Sequence, residues 1–143
     1  MGAFVADVAL RWSDMDAFGH VNHARTITLL EEARADLLFT EAERRGLDGM
    51  AEGMVVARVV VDYHSPLVYS SRSLQVRMSV RDLKAASFVV DYTAFAQEAV
   101  ATAETLMVPY DLGAGRPRRL TSEERAFLAE FQLDTPEPEL RGA

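Results

Sequence analysis

From His23 to about Arg45 the chain carries one long helical pattern, while every other long patterned segment alternates with a period of two. Ala24, Ile27, Leu30, Ala33, Leu37 and Leu38 recur at steps of three and four residues, an apolar stripe along roughly six turns. Asn22 is a good N-cap, because its side-chain oxygen can accept one of the helix's first free N–H groups, and Gly46 is a natural stop. Arg25, Glu32, Asp36 and Glu43 fall together on the opposite, solvated side. Glu31 and Arg34 sit on the edge of the stripe and within it, as an ion pair at i,i+3 or with Glu31 serving a functional site.

The alternating segments predict a sheet. Phe4, Ala6, Val8, Leu10 and Trp12 share one face of a first strand. Met54 to Tyr63 has apolar residues at every odd position and reads as a central strand. Leu74, Val76, Met78 and Val80 mark a third strand, Phe88, Val90, Tyr92, Ala94 and Ala96 a fourth, and Ala99 to Tyr110 a last long one. Turns are read at Ser65-Pro66, Ser70 to Ser73, Asp82 to Ala86 and Gln97-Glu98, so the neighbours should be antiparallel. Gly115 to Arg119 is a basic connector. Thr121 to Glu124 opens a short C-terminal helix with Phe127, Leu128 and Phe131 as its apolar face, and residues 132–143, above all Pro136 to Ala143, read as a frayed tail. The result is a single α+β domain over residues 1–143, one long central helix packed on a curved antiparallel sheet. Such a sheet leaves a face or an edge uncovered, and outward-pointing Val89 and Phe95 favour a partner.

Two aspartates, two histidines and an asparagine lie between Asp14 and His23, directly before the helix. A helix start offers unpaired N–H donors and partial positive charge, so it can stabilise a carbonyl oxygen that becomes an oxyanion. A carboxylate beside such a site is the minimum apparatus for acyl transfer. Asp14 and Asp16 could equally make Asx turns. A metal site from Asp14, Asp16, His20 and His23 is disfavoured, because the spacing matches no common ligand frame. An aspartate motif for phosphoryl transfer would need a parallel sheet. No Ser sits in a G-x-S-x-G elbow.

Composition narrows the classes. A formal charge of −7 argues against a general nucleic-acid binder. The absence of cysteine removes disulfides and thiolate chemistry and is compatible with the cytoplasm. The N-terminal residues carry no signal-peptide pattern, and no run is apolar enough for a membrane span.

The stretch D-M-D-A-F-G-H-V-N-H-A-R from Asp14 to Arg25, the following L-L-E-E-A-R from Leu29 to Arg34, and S-F-x-x-x-Y from Ser87 to Tyr92 resemble the hot-dog-fold acyl-CoA thioesterases of the 4-hydroxybenzoyl-CoA thioesterase type. That resemblance implies a hot-dog fold and hydrolysis of an acyl-CoA without a cofactor, in a dimer or tetramer with sites between subunits. It implies Asp16 as the catalytic carboxylate, the His23 backbone N–H as the group polarising the carbonyl, His20 as an assisting residue and Asn22 as part of the substrate site. Two departures stand out. Many relatives read N-N-A-R-Y where this chain has Asn22-His23-Ala24-Arg25-Thr26, and the basic cluster that meets coenzyme A phosphates in one branch is reduced to Lys84. Arg77 and Arg81 share a strand face ahead of Lys84, so Arg81 and Lys84 are the candidate phosphate ligands.

The chemistry agrees. An aspartate carboxylate, with a reference pKa of about 3.9, is a weak base or nucleophile, yet a thiolate leaving group with a conjugate-acid pKa of about 8.5 departs with little help. The alternative, from another class, is a non-catalytic hot-dog module that binds an acyl chain or a protein partner.

Overall fold

The computed structural model describes residues 2–69 and 73–134. The turn read at Ser70 to Ser73 lies largely outside the described residues, as does the tail from Pro136. The helix begins as α1 (His23–Ala35), continues through a π-helical stretch at Asp36–Glu41 and ends as α2 (Ala42–Arg44). Gly46, at φ 81°, adopts the left-handed conformation that terminates it. A single helical turn, α3 (Gly49–Glu52), stands where the sequence reads as a loop.

Around this helix run β1 (Phe4–Val8), β2 (Met54–Tyr63), β3 (Leu74–Arg81), β4 (Phe88–Phe95) and β5 (Ala99–Asp111), in the antiparallel order β1-β3-β4-β5-β2. The connector after Gly115 contributes a two-residue strand, β6 (Arg116–Pro117), against the end of β5. The last element is α4 (Ser122–Ala129). The expected α+β arrangement is therefore what the chain adopts. Among the described residues no helix is long and apolar enough to cross a membrane.

The core lies between the helix and one face of the sheet. Leu29, Leu30, Ala33, Leu37 and Leu38 meet the inward residues Val76, Met78 and Val80 of β3 and Phe88, Val90, Tyr92 and Ala94 of β4. Each such aliphatic side chain contributes about 1.5–3 kcal/mol on burial.

Four expectations change. The apolar stripe holds at Leu30, Ala33, Leu37 and Leu38 but shifts in the first turns of α1: Thr26 and Leu29 are buried, whereas Ala24 and Ile27 are exposed, because the helix meets a curved sheet on one side and leaves its flank open. The first strand stops at Val8, and Trp12 opens a 3-10 turn (Trp12–Asp14) that leaves its side chain 78% exposed. β2 is an edge strand rather than a central one. A bulge between Val56 and Arg58 breaks its alternation, so Val56, Val59 and Tyr63 lie on an inner face that the helix does not fully cover while Val55 lies on the outer face, and all four stay exposed. Val89 and Phe95 are only half-exposed, and the Arg77 guanidinium lies 5.2 Å over the Phe95 ring, so the uncovered apolar surface belongs to β2 and the α1 flank.

The C-terminal helix is held by a capping box and an ion pair. Thr121 Oγ1 accepts from Glu124 N at 3.1 Å, and Glu124 Oε1 accepts from Thr121 N at 2.8 Å. Arg118 donates to both Glu124 oxygens, at 2.8 and 2.9 Å, and to Gly49 O at 3.2 Å, tying α4 to α3. Burial alone would raise the Glu124 carboxyl, but the bonds from Arg118 and Thr121 outweigh it and hold the carboxyl below its usual range. A depressed folded-state value stabilises the fold above the unfolded pKa of about 4.3 and loses that contribution as pH falls through the lower value. Glu124→Gln is expected to cost about 1–3 kcal/mol at pH 7 and to flatten the loss of stability below pH of about 4, read as urea midpoints across the acid range.

Candidate active site at the start of the long helix

The loop from Met15 to Val21 is a narrow turn whose two legs pair. Met15 bridges Val21, and Asp16 N donates to His20 O at 2.8 Å. At its tip Gly19 takes φ 78°, a left-handed conformation that a residue with a Cβ adopts only with strain. A second segment supports it from outside: Val21 N donates to Leu67 O at 2.7 Å, and His20 bridges Val68.

Asp16 is fixed within this turn. Its Oδ1 accepts from Phe18 N at 2.9 Å and from His20 N at 3.3 Å. Its Oδ2 accepts from no group among the described residues, so one oxygen orients the carboxylate and the other is unbonded. The Asx-turn and catalytic readings of this residue are thus compatible. Asp14 differs. It is 1% exposed, and its Oδ2 accepts from Arg11 N at 3.0 Å while Arg11 Nη2 lies 3.5 Å from Oδ1. Asp14 therefore shapes the turn ahead of the site.

The helix begins where this turn ends. Asn22 N donates to Asp14 O at 3.0 Å, and Asn22 Oδ1 caps the helix by accepting from Ala24 N at 2.9 Å. With Oδ1 committed to Ala24, the first helical N–H, that of His23, meets no acceptor among the described residues, which keeps a donor at the positive end of the helix. Tyr63, at the end of β2, donates its hydroxyl to His23 O at 2.7 Å and sets its ring edge-on to the His23 ring at 6.4 Å. The loop, the helix start and the end of β2 thus converge, bringing Asp16, His20, Asn22 and His23 to one end of the fold.

Arg81 and Lys84 are not brought to that group within one chain. Cross-strand register puts Tyr63 level with Val76 on the helix side of the sheet, whereas Arg81 is five residues further along β3, a rise of about 17 Å along the strand, and on the other face. Arg81 is also committed: Nε donates to Asp91 at 2.8 Å, Nη1 to Asp82 at 2.9 Å, and Nη2 to Glu104. Burial pushes the Asp91 carboxyl up against the pull of Arg81. Lys84 is exposed in the turn after β3, which its backbone N–H closes by donating to Ser87 O at 2.9 Å.

Two features are not legible from motif spacing. One is the Tyr63 tether, for which the signal is a tyrosine ending an inward-facing alternation, its hydroxyl reaching a backbone carbonyl while the ring stays at the surface. The other is a polar relay beneath α1, where Arg34 Nη1 donates to Tyr92 OH at 3.2 Å and Tyr92 OH bonds Thr105 Oγ1 at 2.7 Å. Burial raises the Tyr92 phenol above its usual range, against the opposing pull of Arg34 and Thr105, so it stays protonated at neutral pH. Among the described residues no three His, Asp or Glu side chains are grouped to hold a metal ion.

Comparison with known proteins gives matches over most of the chain. Residues 10–132 match the family described as the Thioesterase-like superfamily. A thioesterase from Thermus thermophilus, solved in complex with coenzyme A and Zn, is 25% identical, with 90% of this chain and 92% of that one covered at a TM-score of 0.72. A probable thioesterase from Escherichia coli is 26% identical over 89% of this chain and 97% of that one, also at 0.72. A predicted thioesterase from Bacillus stearothermophilus shares the fold at a TM-score of 0.79 with 19% identity, covering 94% of this chain and all of that one. No curated protein matches the chain.

Proposed function

Since the chain belongs to the Thioesterase-like superfamily, we propose that it is a hot-dog acyl-CoA thioesterase of the 4-hydroxybenzoyl-CoA type, hydrolysing a thioester to the free acid and coenzyme A. The observation that carries this reading is Asp16: Oδ1 is pinned by two loop N–H groups and Oδ2 is left without a donor, ahead of a helix start whose first N–H is unclaimed. The thioester carbonyl accepts from His23 N–H, which withdraws charge as the oxyanion develops. Asp16 Oδ2 either attacks the carbonyl carbon, expelling thiolate and forming an anhydride that water then opens, or takes a proton from the attacking water. His20 assists beside it, and Asn22 holds the cap that keeps the helix start in place. The coenzyme A complex of the Thermus relative supports the choice of thiol carrier.

In this reading the enzyme works in the cytoplasm as a homodimer or tetramer and needs no metal. The uncovered β2 edge, with Val55, Val56, Val59 and Tyr63 exposed beside the α1 flank, supports self-association. Arg81 and Lys84 can meet the phosphates of coenzyme A only from a second copy, since within a chain they lie on the far face of the sheet.

Asp16→Asn keeps the size and much of the loop bonding but removes the charge. Turnover on an acyl-CoA is expected to fall by about 10²- to 10⁴-fold with folding retained. Asp14→Asn is expected to show its effect in thermal stability rather than in turnover, and an Asp16→Asn enzyme at near-parent rate would sink this assignment. Dialysis against a strong chelator is expected to leave hydrolysis intact; loss of activity with recovery on adding one divalent ion would move the chemistry to a metal. Sedimentation at micromolar concentration is expected to show at least a dimer, whereas a fully active monomer would contradict a shared site.

A further inference from the structure

A cavity of about 220 Å³ lies between α1 and the β2–β5 side of the sheet. Ile27, Leu30, Val56 and Val59 form its apolar walls, while Glu31, Arg34 and Thr105 reach it as polar groups. It begins one helical turn past His23, because Ile27, Glu31 and Arg34 follow His23 along one side of α1 at spacings of four, eight and eleven residues. Cavities of about 150 Å³ hold benzene, so this one has room for roughly six to eight heavy atoms.

Arg34 supplies the cationic group of the lining. Its side chain is only 12% exposed, yet of its five N–H donors one finds a hydrogen-bond acceptor among the described residues, Tyr92 OH at 3.2 Å. Glu31 Oε1 stands 3.9 Å from Nη2, beyond hydrogen-bond range, and with Glu31 66% exposed its charge is screened by solvent. Tyr92 is itself committed to Thr105 at 2.7 Å and does not turn to serve the guanidinium further. The Nε and Nη2 groups that find no protein acceptor still reach water, so an apolar ligand that excluded this water would leave a cation with most of its donors unmet, which is costly. A carboxylate would answer it, since a guanidinium fork donates to two carboxylate oxygens side by side.

We propose that this cavity is the acyl subsite and that it selects acyl groups ending in a carboxylate, that is, half-thioesters of short dicarboxylic acids, with Arg34 as the specificity-determining residue. The assignment rests on the thioesterase reading for what the bound group is joined to, but its binding chemistry can be measured without turnover. Monomethyl adipate and methyl hexanoate have the same six-carbon acyl chain and differ in the terminal carboxylate. In calorimetric titration of the intact protein, monomethyl adipate is expected to bind at least tenfold more tightly. Arg34→Met is expected to abolish that preference, since Met fills similar space and leaves the Tyr92–Thr105 bond in place. Arg34→Lys is expected to keep part of it, and Glu31→Gln, which removes the nearby negative charge, to strengthen it. Equal binding of the two esters, binding of neither, or a preference unchanged in both Arg34 variants overturns the proposal. Parallel assays on adipoyl-CoA and hexanoyl-CoA separate the two claims. Hydrolysis of neither, with the ester preference intact, overturns the thioesterase reading and leaves the subsite standing; faster hydrolysis of hexanoyl-CoA overturns the subsite and leaves the thioesterase.

Discussion

One helix has to cover one face of a sheet several strands wide, and much else in this molecule follows from that constraint. An α-helix with its side chains is about 10–12 Å across, little more than two strand spacings of about 4.8 Å. The sheet must therefore curl toward the helix, and even then the helix seals only part of it. Leu29, Leu30, Ala33, Leu37 and Leu38 close the core over β3 and β4, while α4 brings Phe127 and Phe131 against Phe4 and the Arg45 guanidinium. The β2 side stays open, and both the cavity beside Arg34 and the exposed valines lie there. Coverage is complete where packing carries stability and incomplete where a ligand or a second copy could enter.

The same geometry separates two kinds of charge. On the outer face, Arg81, Asp91, Glu104 and Arg58 form a ladder across four strands, each charge next to an opposite one and in reach of water. Pairs of this kind contribute little individually, and they neutralise a face that an uncompensated arginine would make attractive to anions. Beneath the helix, Arg34 is largely shut away from water with a phenol and a distant carboxylate for company. The low-dielectric setting raises the stakes of its pairing, whereas the pairing of Arg81 is screened by water.

Backbone bonds give the helix start its order. Asn22 links the Asp14 carbonyl to the first turn of α1, Gly19 lets the preceding loop reverse within five residues of Asp14, and Tyr63 holds the His23 carbonyl from across the sheet. The carboxylate of Asp16 is then positioned by the chain it belongs to, without help from a distant side chain. A site made this way depends more on local sequence than on packing, and for that reason it can be read from a motif.

The sequence by itself determined the local features. Period-two and period-3.6 patterns placed the strands, the long helix and the capped C-terminal helix, because each reports which side of one element meets a core. Asn22 as cap, Gly46 as stop and the Asp14–His23 loop as a polar cluster at the helix start were likewise legible, since their bonds span only a few residues. Tertiary structure alone decided that β2 lies at the edge, that Thr26 and Leu29 rather than Ala24 and Ile27 face the core, that Trp12 points to solvent, and that Arg81 is held by three acids on the far face. It alone joined Tyr63 to His23 across 40 residues and Arg34 to Tyr92 across 58. Strand order and the sheet's curl set those pairings, and they arise from contacts between elements far apart in the chain, to which the periodicity of any one segment is blind.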